Sequence, residues 1–118
     1  MISKKNSMTD KIVVLSACAS QAEAVGIARG LIEKRLAACV NIVNQARSMY
    51  LWKGAIETSE ESLLLIKSNR AKLPELRREL ERMHSYEIPE VVALSIVDGS
   101  ETYLSWLDRQ LQESPPAE

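Results

Sequence analysis

Four short aliphatic runs in this 118-residue chain lack the alternation of a strand with one wet side. They read Ile-Val-Val-Leu-Ser-Ala-Cys at 12–18, Ala-Cys-Val-Asn-Ile-Val at 38–43, Leu-Leu-Leu-Ile at 63–66 and Val-Val-Ala-Leu-Ser-Ile-Val at 91–97. Side chains alternate along a strand. In the last run Val92, Leu94 and Ile96 therefore point one way while Val91, Ala93, Ser95 and Val97 point the other. Neither face is wet, which predicts a sheet covered on both sides.

The intervening segments read as helices and one hairpin. Ser20 is a good N-cap for a helix over 21–36, with Val25, Ala28, Leu31, Ile32 and Leu36 at helical spacing. Gly26 and Gly30 lie four apart in it, a costly choice that predicts tight packing of helix on sheet. The chain stays extended from Asn44 to Tyr50 and turns at Trp52-Lys53-Gly54-Ala55, giving a long hairpin with a polar tip and a buried base. Asn69 or Ser68 opens a second helix, with Pro74 in its first turns and Leu73, Leu76, Leu80 and Met83 as its apolar stripe. Pro89 holds Ile88 extended, so that helix ends before it. Ser100 caps a third helix from Glu101 to about Leu111, with Leu104, Leu107 and Leu111 on one face.

The order β-α-β-β-α-β plus a C-terminal helix is the α+β, ferredoxin-like split βαβ pattern. It predicts β3 between β1 and β2, and β4 beside β1. One domain over 11–112 is expected, with a disordered polar leader at 1–10 and a disordered tail at 113–118. The third helix is too short to shield four strands. Fully burying an aliphatic side chain is worth about 1.5–3 kcal/mol, so the exposed face predicts sheet-against-sheet assembly, with the hairpin arms adding strands to a neighbour's edge.

Composition narrows the partners. A net charge of -1 gives no electrostatic reason to expect nucleic acid, and no window approaches a membrane span. Two cysteines without a secretion signal read as free thiols of a reducing cytoplasm. Cys18 and Cys39 fall two interstrand spacings apart, about 9–10 Å, too far for a disulfide.

No phosphate-cradling loop, nucleophile elbow or zinc-protease helix is present, and no catalytic residue is assigned. The strand order does bring Cys18, the only histidine His84, and Glu87 to one edge, a donor set that suits copper or zinc. The plainer reading makes Cys18 a small core residue and His84 a favourable helix end. Glu87 and Glu90, about 10 Å apart along an extended backbone, are too far apart to share a proton. Pairing with basic groups of another subunit is the reading preferred for them. Trp52, Lys67, Tyr86, Tyr103 and Trp106 either line a cleft or anchor an interface.

Five spaced motifs resemble the CutA divalent-cation-tolerance family. They are Leu36-Ala37-Ala38-Cys39-Val40-Asn41, Tyr50-Leu51-Trp52-Lys53-Gly54, Lys67, His84-Ser85-Tyr86-Glu87-Ile88-Pro89-Glu90 and Tyr103-Leu104-Ser105-Trp106-Leu107. The resemblance covers Ile12 to Leu107. It implies a ferredoxin-like subunit in a PII-like homotrimer, a cytoplasmic location, a role in tolerance of copper and other divalent cations, and no organic cofactor. It also implies, for some bacterial members, copper ligation by a cysteine directly after the Val-Val-Leu of β1 and by a His-His pair. Ser16 and Met83-His84 stand there in this chain, so only His84 matches, with Cys18 as a substitute on the same side as Ser16. The motifs further place Trp52, Lys67, Tyr86, Glu87 and Glu90 at an intersubunit cleft. There a PII-like module would receive a small anionic or zwitterionic ligand against Lys67 and Tyr86, or act on a regulated partner.

Overall fold

In the computed structural model, which describes residues 9–112, four antiparallel strands line up in the order β2-β3-β1-β4. They are β1 Lys11–Cys18, β2 Cys39–Trp52, β3 Ala55–Asn69 and β4 Val92–Ser95. This is the predicted ferredoxin-like arrangement. The tail expected at 113–118 and the first eight leader residues lie outside the described residues. Thr9 and Asp10, assigned to the leader from sequence, join the sheet margin. The Thr9 hydroxyl donates to the Ile96 carbonyl at 2.6 Å, and the Arg70 N–H donates to the Asp10 carbonyl at 2.8 Å.

One face of the sheet packs on two helices, α1 Gln21–Glu33 and α2 Leu73–Met83. Ile12, Val14 and Cys18 of β1 and Leu64 and Ile66 of β3 meet Ala24, Ile27, Leu31, Leu76 and Leu80 there. A 3₁₀ turn over Arg70–Lys72, capped by Asn69, leads into α2. The expected stripe of α1 is corrected in two ways. The helix stops at Glu33 because Arg35 adopts a left-handed φ of 59° and the Leu36 N–H folds back onto the Leu31 carbonyl. Val25 and Ile32 face outward, while Ala24 and Ile27 are buried in their place. Gly30 does mark a close approach, but to helix α2: a Cβ there would lie 3.0 Å from the Met83 sulfur. Gly26 faces open space.

The register puts Val13 and Leu15 of β1, Leu63 and Leu65 of β3, Val43 of β2, and Val92 and Leu94 of β4 together on the other face. Helix α3, Glu101–Gln110, covers one end of it. Asp108 accepts from the buried Lys11 ammonium at 2.9 Å, and the Lys67 ammonium lies 5.9 Å from the Tyr103 ring. The remainder of the face has no further cover among the described residues. β4 is shorter than expected and exposed along its length, with Val92 at 46% and Leu94 at 49%, so the described residues of its own subunit do not bury it.

The hairpin of β2 and β3 extends far from this core, and the molecule measures 56 × 34 × 22 Å. Its two-residue turn, Lys53-Gly54, has positive φ at both positions, the type I′ geometry that matches strand twist. The tip is not polar as expected: Met49, Leu51, Trp52 and Ile56 are exposed there. Halfway along β2 the register slips by one residue between Val43 and Ala46, where Gln45 adopts a φ of 63°. This bulge exchanges the two faces of β2 beyond it. It places Ser48, Tyr50 and Trp52 on the side of Ser59 and Glu61, and sends Arg47 to the opposite side against Glu60.

Candidate functional site

At the Cys18 end of β1 the end of α2 folds down onto the sheet. His84 is its C-cap, buried, and its Nε2 lies 2.8 Å from the Ala17 carbonyl. The Tyr86 N–H meets Nδ1 at 3.1 Å. A carbonyl can only accept and an amide N–H can only donate, so the proton sits on Nε2 and the Nδ1 lone pair is taken. Both ring nitrogens are engaged by the backbone. Glu23 of α1 fastens the same turn, accepting from the Ser85 N–H at 2.7 Å, the Ser85 hydroxyl at 3.1 Å and the Ala19 N–H at 3.2 Å. Burial opposes its charge, but the donors of Ser85 and Ala19, with His84 nearby, hold the carboxyl below the usual carboxylate range.

Of the predicted set, His84 reaches the Ala17 carbonyl next to Cys18, though in a closed form, while Glu87 lies in the wall of the arm cleft instead. Cys18 is fully buried; burial first, and then the carboxylates of Glu23 and Glu61, push its thiol up to about 11. A protonated thiol beside an imidazole with no free lone pair is not a ready ligand pair. Among the described residues no three His, Cys, Asp or Glu side chains stand where they could hold one metal ion. Cys18 and Cys39 are both free thiols. Ser16, between Val14 and Cys18 on the helix side, is fully buried and its hydroxyl has no hydrogen-bond partner among the described residues.

Beyond His84 the chain continues along the hairpin arm. The Tyr86 hydroxyl donates to Glu61 at 2.6 Å, and the Ser48 hydroxyl donates to the other oxygen of that carboxylate. Burial, followed by this bond to Glu61, raises the Tyr86 phenol above its ordinary value. Between the arm and the 86–90 segment lies a cleft of about 690 Å³, whose walls include Tyr50, Trp52, Tyr86, Glu61, Glu87 and Glu90. Four of the five predicted cleft residues, Trp52, Tyr86, Glu87 and Glu90, thus share one cavity within a single chain. Lys67 is at the other end of the sheet, donating to the Asn41 side-chain oxygen at 2.6 Å beneath Tyr103. Glu87 and Glu90 make no ion pair among the described residues.

Sequence reasoning missed Glu23, Glu61, Ser48 and Tyr50. Ser48, Tyr50 and Trp52 recur with period two, a signal that finds the wall of the cleft. Glu61 has none, because it lies in a run of polar residues and is selected only by its register opposite Ala46.

The family model of the CutA1 divalent ion tolerance protein matches residues 12–110 of this chain. A divalent-cation tolerance protein CutA of Thermus thermophilus is 44% identical over 95 residues, covering 80% of this chain and 92% of the relative. A protein CutA of Homo sapiens is 44% identical over 97 residues, covering 82% of this chain. The chain spans about half of that human relative, 54% of its length. The crystal structure of a CutA from Xylella fastidiosa matches with a TM-score of 0.85 at 36% identity, covering 88% of this chain and 100% of that one. No helix among the described residues is long and apolar enough to cross a membrane.

Proposed function

We propose, from the premise that this chain belongs to the CutA1 divalent ion tolerance family, that it acts in the cytoplasm as a homotrimer that responds to divalent cations. Its role is binding rather than catalysis. The observation that carries the assembly is the bare apolar face of the sheet, Val13, Leu15, Leu63, Leu65, Val92 and Leu94 in one contiguous register. Three copies packed by that face would remove it from water, and the unpaired edge of the long β2 strand would take up a neighbour's strand.

The proposed metal contact is His84 with Cys18 or a nearby carboxylate, and Cu(II) is the ion to test. Binding there is weak, since metal must displace a backbone hydrogen bond from the imidazole and a proton from the thiol. Titration calorimetry with Cu(II) is expected to give a weaker isotherm for His84→Ala than for the parent protein. Identical isotherms would remove His84 from the site.

The 690 Å³ cleft favours a second reading, a PII-like regulatory module whose small ligand enters between subunits against Trp52, Tyr86, Glu87 and Glu90. Lys67 reaches such a ligand only from a neighbouring subunit. A thermal-shift screen of cytoplasmic metabolites on trimeric protein is expected to return at least one stabilising ligand whose effect is lost in Trp52→Ala. Flat responses throughout would sink this reading.

A further inference from the structure

We infer that the arm cleft takes an organic ammonium cation of the polyamine class, an inference that rests on reading the cleft as a ligand site. Its walls are of two kinds. Tyr50, Trp52 and Tyr86 supply aromatic faces, and Glu61, Glu87 and Glu90 supply three carboxylates. Among the described residues no lysine or arginine is part of the wall. The bulge at Gln45 is the reason, because without the slip of register the cation of Arg47 would fall on the cleft side of the arm.

The charge pattern separates ligand classes. A phosphate or carboxylate would enter against three acidic side chains with no basic side chain among the wall residues, which penalises the anionic ligands otherwise expected. A compact metal ion is also a poor fit, since no three acidic, histidine or cysteine side chains among the described residues converge on one point. Charges that are spread out match ammonium groups separated by methylenes. The methylenes would lie on the indole and on Met49, and the ammonium groups on the aromatic faces. The Trp52 ring already accepts a cation, for the Lys53 ammonium stands 5.7 Å from its centroid.

The test is calorimetric titration of the full-length protein with spermidine, at ionic strength held fixed with sodium chloride. It is repeated with Trp52→Ala and with the double variant Glu87→Gln/Glu90→Gln. All three positions are exposed, and circular dichroism with light scattering checks that each variant keeps its fold and assembly. Spermidine is expected to bind the parent protein and to lose at least tenfold in affinity in each variant. Mg(II) at matched ionic strength is expected not to displace it. Absence of spermidine binding, equal affinity in parent and variants, or displacement by Mg(II) would each overturn the assignment. A metabolite screen keeps the outcomes distinct. An anionic ligand lost in Trp52→Ala, with spermidine silent, removes the cation class and leaves the cleft as a ligand site. Silence from both removes the two readings together.

Discussion

His84 and Glu23 hold the turn after α2 by the same device, side-chain atoms that complete backbone hydrogen bonds. Removing the imidazole in His84→Ala leaves the Ala17 carbonyl and the Tyr86 N–H without these partners. The expected loss is about 1–3 kcal/mol of unfolding free energy, read from urea denaturation. Glu23 carries a pH dependence of definite sign. Its folded pKa lies below its ordinary value of 4.5, so its contribution is complete above about that pH and disappears as pH falls through the folded value. The urea midpoint is therefore expected to drop below about pH 4.5, and less steeply in Glu23→Gln. Ser16 runs the other way: Ser16→Ala deletes a buried hydroxyl without a partner and is expected to be neutral or to stabilise by up to about 1 kcal/mol. The approach of Cys18 to His84 was legible in the sequence, since strand order alone brings those chain segments together. The closure of both imidazole nitrogens was not, because their partners are main-chain groups that any residue would provide.

At the level of elements, α1 was the least legible. Val25, Ile32, Ala24 and Ile27 are all apolar, so periodicity alone supports either of two adjacent stripes; contact with α2 at Gly30 and Met83 selects between them. Gly26 has open space around it in the subunit. Gly26→Ala is therefore expected to stabilise by about 0.5–1 kcal/mol through helix propensity, measured as a shift in urea midpoint. The hairpin turn was readable from Lys53-Gly54, and Gly54→Ala is expected to destabilise by about 1–2 kcal/mol because φ is 82° there. The bulge carried no such mark. Gln45 holds a left-handed conformation without being glycine or asparagine, and a one-residue slip in register is invisible to the alternation of side chains until a partner strand is known.

For the molecule as a whole, the order of elements carried the strand order, and the two-faced strands carried the apolar face that α3 leaves open. β4 is exposed in the single chain because its aliphatic residues satisfy a pattern that one chain alone does not complete. Leu65→Asp, placed at the middle of that face opposite Leu15, is expected to shift the scattering mass from about 40 kDa to about 13 kDa. For the parent protein the melting temperature is expected to climb with protein concentration if dissociation accompanies unfolding. The arm adds a consequence for biosynthesis. Leu51 and Ile56, 70% and 71% exposed, sit at the tip of an extended ribbon with an unpaired β2 edge. A newly made subunit that has met no sister copy offers that ribbon to any other unfolded strand. Lys53, Glu57 and Glu60 act there as charged gatekeepers. Neutralising them should send overexpressed protein into inclusion bodies while leaving the mature assembly's core untouched.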